Sequence, residues 1–236
     1  MSPQLPCLIV GASGAVGSAI HAYLKEIGHP VVGTYCRSAS EPRTGEWHQL
    51  DVTDSDACAS VTAMMAERFG NQFHLIICCG VLADKPIPAV SPEEWRHVLS
   101  TNLDGPFFLI RSAFKTLAVG GVGRIVLVGS LSARFGFPGQ VAYASSKAAL
   151  EALCRVTAVE LGRFGVTCNV VAPGALAGGM ADEIKSTAIS LIKMRTPNKR
   201  LGNVSEAAEA VAFLLSEAAG HITGQTLAID GGFSIA

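Results

Sequence analysis

The chain has 236 residues, 49% of them hydrophobic and 16% charged, with 18 Lys and Arg against 19 Asp and Glu and a formal net charge of −1. A domain of this length buries enough apolar surface to fold without disulfides or a structural metal, and its high apolar fraction excludes an intrinsically disordered chain. The even charge balance leaves no electrostatic footprint for nucleic acid or an anionic membrane surface.

The seven cysteines (Cys7, Cys36, Cys58, Cys78, Cys79, Cys154 and Cys168) show no C-x-x-C spacing. The first residues, MSPQLPCLIVGASG, have no basic stretch followed by a long apolar one, so no secretory signal is expected. No apolar run approaches the roughly 20 residues of a membrane span. A cytoplasmic protein with reduced, mostly buried thiols is expected. Strand-like and helix-like segments alternate without repeat, low-complexity tract or linker, so residues 1–236 are expected to form one domain.

In chain order, the first signal is Leu8-Ile9-Val10 followed by Gly11-Ala12-Ser13-Gly14-Ala15-Val16-Gly17 and an apolar helical stretch. Gly11 lets the chain leave a strand tightly, and Gly17 lets the next helix pack close to the sheet. The amides between them, around Ser13, Gly14, Ala15 and Val16, face a helix N-terminus, where a pyrophosphate finds unpaired N–H groups and a favourable dipole. Three glycines alone make only a tight turn; the flanking strand and helix point to a dinucleotide.

Val31-Val32 begins a second strand that ends at Thr34-Tyr35-Cys36-Arg37-Ser38. An NAD-preferring unit places Asp or Glu here to bond the ribose 2′-hydroxyl. This chain has no acid between Tyr35 and Ser40. Arg37 and Ser38 are therefore candidates for the 2′-phosphate of NADP, with NAD the less favoured cofactor, although Arg37 also suits a solvated loop.

Leu75-Ile76-Ile77 predicts a third strand, with Cys78 and Cys79 expected on opposite faces if the strand continues through them. Ser91-Pro92-Glu93-Glu94 is a capping box with Pro at the first helical position. The helix it opens aligns Trp95, Val98, Leu99 and Asn102 on one face, so the Asn102 amide must find partners in the interior. Ile125 to Val128 predicts a strand that closes on Gly129-Ser130.

A helix is expected from Ala142 to about Arg163, stopped near Gly165, with Tyr143 and Lys147 four residues apart on one face. A lone phenol is a poor proton donor at neutral pH, and an adjacent ammonium favours its ionised form. Ser130, at the end of its strand, is placed to hold a carbonyl oxygen beside that phenol. Tyr-x-x-x-Lys spacing arises by chance on helices; set after a dinucleotide turn and a strand-terminal serine it points to hydride-transfer chemistry. Val166 to Val171 predicts a further strand and Val204-Ser205-Glu206 a helix start. Runs this continuously apolar suit strands covered on both faces, so the fold class is α/β, a doubly wound parallel sheet with helices on both faces.

Over essentially its full length the chain resembles the short-chain dehydrogenase/reductases, most closely the 3-oxoacyl-[acyl-carrier-protein] reductases. GASGAVG, LDVTD, TNLDGPFF, the Ser130, Tyr143 and Lys147 set, RFGVTCNVVAPG and ITGQTLAIDGG carry that resemblance. It implies a seven-stranded Rossmann sheet, Tyr143 as general acid and base, and Lys147 as its modifier and nicotinamide-ribose ligand. It also implies Ser130 as the carbonyl-orienting residue and Asn102 as holder of a proton-relay water. Asp51 and Val52 match the family's adenine contacts, Cys79 and Gly80 its strand end beside the adenosine, and Pro173, Gly174 and Leu176 its segment beside the nicotinamide.

Four departures stand out. Ala15 occupies the middle glycine position and Gly14 the place where many NADP enzymes carry a basic residue, which shifts weight onto Arg37. Ile77-Cys78-Cys79-Gly80 replaces Asn-Asn-Ala-Gly. Ala175-Leu176-Ala177-Gly178-Gly179-Met180 lacks the usual threonine and is expected to open a mobile substrate lid over 175–200. The stretch between Arg37 and Asp51 is short for a helix.

The function expected from these residues is NADPH-dependent reduction of a β-keto acyl group, carried by an acyl carrier protein, to the secondary alcohol. A free ketone, a sugar or a specialised-metabolite intermediate is the alternative substrate, and a non-catalytic dinucleotide sensor the alternative role. Arg155 and Arg163 are candidates for docking an acidic carrier, or simply a solvated face. Phe107, Phe108, Phe114, Leu153 and Val159 suggest helices that pair between subunits of a homotetramer, or a dimer, unless they are ordinary core. No metal, nucleic-acid or membrane partner is expected.

Overall fold

The computed structural model describes residues 4–37, 45–178 and 186–236. Its strands are β1 (Cys7–Val10), β2 (Val31–Tyr35), β3 (Glu46–Gln49), β4 (His74–Ile77), β5 (Arg124–Val128), β6 (Thr167–Pro173), β7 (Leu176–Ala177), β8 (Gly202–Asn203) and β9 (Thr226–Ile229). Seven of them form one parallel sheet in the order β3-β2-β1-β4-β5-β6-β9, while β7 and β8 make a separate short pair.

The strands read from apolar runs are all present. β3 and β9 were not anticipated from the residues. β3 reads Glu-Trp-His-Gln because it is an edge strand, half-exposed and bonded only to β2. Gly33 of β2 lies under the Trp47 ring, where a Cβ would come within 2.9 Å of the indole. Between Arg37 and Asp51, residues 45–51 contain no helix.

Helices α1 (Ala15–Glu26), α2 (Ser55–Phe69), α3 (Pro92–Leu99), α4 (Gly105–Gly120), α5 (Val141–Gly162), α6 (Ser186–Arg195) and α7 (Val204–Leu215) connect the strands. Side chains alternate across each strand, which makes two cores. Leu8, Val10, Leu75 and Ile77 pack with α2, α4 and α5 on one face. Cys7, Ile9 and Ile76 pack with α1 and α7 on the other. Each fully buried aliphatic side chain contributes about 1.5–3 kcal/mol relative to exposure.

The expected capping box opens α3: Glu94 N–H donates to Ser91 Oγ (3.2 Å), and Ser91 N–H donates to Glu94 Oε2 (3.1 Å). The helix does not run on uninterrupted, however. Residues Ser100–Asp104 form a π turn before α4, and Asn102 lies at its centre. At α7 the cap is Asn203, whose N–H donates to Glu206 Oε2 (2.7 Å).

The chain leaves β1 toward β2 and β3 on one side and returns to β4 on the other. A crevice therefore opens beyond the carboxyl ends of β1 and β4, the place where doubly wound sheets bind ligands.

Candidate active site

At the mouth of that crevice, Gly11 turns the chain with φ +79°, and a Cβ there would meet Cys79 N at 2.7 Å. Gly17 is held more tightly still: its Cβ would lie 2.3 Å from Gly11 O. Gly14 N–H donates to Gly11 O (3.1 Å), and Gly11 N–H donates to Thr34 Oγ1 (3.1 Å) from β2. Gly14 occupies the N-cap of α1 without a side chain to bond the first amides, and the first turn carries no acid. Those N–H groups, beside exposed Ser13 and half-buried Ala15 and Val16, fit a pyrophosphate.

The other expected nucleotide contacts fall along the same sheet edge. Arg37 is exposed just beyond β2; Ser38 lies outside the described residues. Asp51 is exposed and accepts from Thr53 N–H (2.9 Å) and Thr53 Oγ (2.7 Å), which hold its carboxyl below the usual range. Val52 packs against Gly105, where a Cβ would clash at 2.7 Å.

Cys78 and Cys79 come after β4 rather than on it, although Cys78 N–H still donates to Val10 O (2.8 Å). They face opposite cores as expected. Burial raises both thiols, Cys79 to about 11, which leaves little reactive thiolate.

Asn102 is wholly buried. Its Oδ1 accepts from Val81 N–H (2.8 Å), and its Nδ2 donates to Val81 O (2.9 Å) and Ser146 Oγ (3.1 Å). Both amide protons are thus committed, and one Oδ1 lone pair remains. Ser146 Oγ donates to Tyr143 O (2.7 Å), so the π turn is tied to the start of α5.

Lys147, 3% exposed, donates from Nζ to Val128 O (2.8 Å) and lies 5.7 Å from the centre of the Tyr143 ring. A Cβ on Gly80 would sit 3.4 Å from that Nζ and 3.5 Å from Asn102 Oδ1, which places this residue in contact distance of both groups. Among the described residues no carboxylate pairs with Lys147.

Ser130 lies two residues beyond β5 in extended backbone, half-buried, and its Oγ accepts from Ser132 N–H (3.1 Å). Gly174 N–H donates to Ile229 O (2.9 Å) just past Pro173, and Gly174 packs near Leu131, the neighbour of Ser130. Leu176 is buried in β7 opposite Gly202. Of the expected lid, residues 179–185 lie outside the described residues; the rest includes β7 and α6.

The structure thus brings Asn102, Gly80, Tyr143 and Lys147 together and places Ser130 at the adjoining strand end. Sequence reasoning missed Thr34, Ser132, Gln140 and Ser146. Thr34 carries a faint signal, a hydroxyl within an otherwise apolar run; the others lie in or beside the Ser-to-Lys segment without a motif of their own. Among the described residues no group of three or more His, Cys, Asp or Glu could hold a metal, and no helix is long and apolar enough to cross a membrane.

A family model described as enoyl-(acyl carrier protein) reductase matches residues 11–234. The chain is 33% identical over 232 residues to the 3-oxoacyl-[acyl-carrier-protein] reductase FabG of Escherichia coli, covering 95% of each chain. It is also 33% identical over 232 residues to the corresponding MabA reductase of Mycobacterium bovis, covering 97% of this chain and 92% of that one. The ligand-free structure of Thermoplasma acidophilum aldohexose dehydrogenase superposes with a TM-score of 0.91 at 26% identity, covering 99% of this chain and 95% of that one. A match spanning nearly the whole sequence, on a seven-stranded parallel sheet of this order, means that the chain belongs to the short-chain dehydrogenase/reductase family of nicotinamide-dependent oxidoreductases.

Proposed function

We propose that this oxidoreductase is an NADPH-dependent ketoreductase that converts a β-keto acyl thioester, or a closely similar carbonyl, to its secondary alcohol. The observation that carries the proposal is Lys147, a buried lysine on a carbonyl oxygen, beside a tyrosine ring and without an acidic partner among the described residues. Burying an ammonium this way is costly unless something else compensates. A phenol oxygen and the hydroxyls of a bound ribose are suitable partners for its remaining donors.

The α1 N-terminus from Gly14 to Gly17 would hold the pyrophosphate, Asp51 and Val52 the adenine, and Lys147 the nicotinamide ribose. Arg37 would take the 2′-phosphate. When bound, the reduced nicotinamide supplies the hydride that reaches the carbonyl carbon.

The protein's own residues supply the rest. Ser130 Oγ and the Tyr143 hydroxyl bind the carbonyl oxygen, where negative charge develops, and such donors are the largest expected source of rate enhancement. Tyr143 gives that oxygen its proton, and Lys147 stabilises the phenolate left behind. The phenolate would regain its proton from Lys147, which would be resupplied by a water held on the free lone pair of Asn102 Oδ1.

The test is Tyr143→Phe. Turnover should fall to background while NADPH binding, followed by its fluorescence, persists; parental turnover would overturn the assignment. Assays of acyl-carrier thioesters against free ketones and aldohexoses, each with NADPH and NADH, identify substrate and cofactor. A sugar substrate is the second reading, favoured by the superposition on aldohexose dehydrogenase.

Carrier docking would use Arg163, which stacks over Phe164 at 4.7 Å; Arg155 is already engaged by Glu151 at 3.8 Å. Self-association, as a tetramer or a dimer, would use α4 and α5. Phe108, Phe114 and Leu153 pack partly into the core, whereas Phe107 and Val159 are 45% and 81% exposed.

A further inference from the structure

Ser130 does not stand alone at its strand end. Its Oγ donates to Ser132 Oγ (3.2 Å) while accepting the Ser132 N–H (3.1 Å). Ser132 is buried, and its own hydroxyl donates to Gln140 Oε1 (2.7 Å). Gln140 is the N-cap residue of α5, yet its side chain makes no cap bond with that helix. It reaches back to Ser132 instead.

A serine hydroxyl has one proton. Because Ser132 commits its proton to Gln140, the Ser132 oxygen meets Ser130 with a lone pair. Ser130 therefore has a defined donor for its oxygen and a defined acceptor for its proton. An untethered serine spreads over three staggered rotamers, most of them pointing away from any given acceptor.

We infer that Gln140 is a positioning residue: acting through Ser132, it holds the Ser130 hydroxyl ready to exchange Ser132 Oγ for the substrate's carbonyl oxygen as acceptor. Throughout that exchange the Ser132 N–H keeps its hold on Ser130 Oγ, so the proton changes partner without the side chain losing its place. The inference rests on the ketoreductase role of Ser130.

A double-mutant cycle on the full-length enzyme tests it, with Gln140→Leu made in the parent and in Ser130→Ala. In the parent, kcat for a ketone or β-keto thioester should fall about tenfold, the scale of one lost neutral hydrogen bond. KM, the NADPH dissociation constant and Tm should hardly move. In the Ser130→Ala background the same change should cost nothing further, because its only route to the substrate is gone. Ser132→Ala, run through the same cycle, should behave alike and guards against a folding defect peculiar to position 140. Equal losses in both backgrounds, or no loss in the parent, would overturn the inference and leave the ketoreductase reading intact. If Ser130→Ala itself turned over at the parental rate, both would fall.

Discussion

His74 and Lys147 are both buried ionisable residues, but they lie at opposite ends of the central strands, His74 at the start of β4 and Lys147 at the end of β5. His74 opens β4, 4% exposed, and its Nδ1 accepts the Arg124 N–H at 3.1 Å, which fixes a neutral ring with the proton on Nε2. Burial above all, then His29 and Arg124, lowers it from 6.5 to about 3. The unfolded chain therefore takes up a proton below about pH 6.5 that the native protein refuses until about pH 3. Stability is complete above the upper value and drains as pH falls through that window, by about 1.4 kcal/mol per unit from this group. Urea titrations between pH 7 and pH 4.5 should show that slope in the parent and a shallower one in His74→Asn, whose amide oxygen still accepts from Arg124. Identical slopes would remove His74 as the cause.

Among the elements, the glycine turn separates two glycines that look alike in sequence. A Cβ at position 17 would lie 2.3 Å from Gly11 O and 2.9 Å from Ala12 Cα, all of it backbone; at position 14 the nearest atom is 3.6 Å away, an ordinary contact. Gly17→Ala must push α1 off the turn, at about 1–3 kcal/mol, and weaken dinucleotide binding with it. Gly14→Ala should leave the affinity within about twofold, since its cost is no more than that of a neutral surface change. Calorimetric titration with NADPH of both variants would decide; equal losses would mean that packing between turn and helix is not what the motif protects. The same contrast explains what was legible. The central strands showed as apolar runs because the sheet is covered on both faces, and the α3 cap showed because its two partners are three residues apart. β3 was invisible because an edge strand needs no apolar run, and the π turn because its spacing leaves no local mark.

For the whole molecule, the Ser130, Tyr143 and Lys147 set could be read because its spacing is chemical as well as structural. Thr34, Ser132 and Gln140 could not, since their partners are set by how strands and loops meet. The outward faces of α4 and α5 follow the same logic: five aromatic and aliphatic residues suggested an interface, and burial separates those that serve the core from those left at the surface. Val159 is on the open side, near Phe114, Glu160 and Arg163, which line a shallow cleft. Val159→Asp should lower the mass measured by light scattering at micromolar concentration while Tm of the isolated subunit stays close to parental. An unchanged mass would refute α4 and α5 as the proposed interface, and a parent already of monomeric mass would refute the proposed self-association.

The two bonds between Asn102 and Val81 deserve to be seen as the sheet itself would see them. An N–H given to the amide oxygen and a C=O taking the amide proton are the same exchange that paired residues make across a ladder. Asn102 is thus a surrogate peptide unit, tying Val81, four residues beyond the end of β4, to the π turn. The rim of the crevice at residue 81 is thereby fastened to the segment between α3 and α4, and an isosteric Asp, unable to donate, would give up the bond to Val81 O.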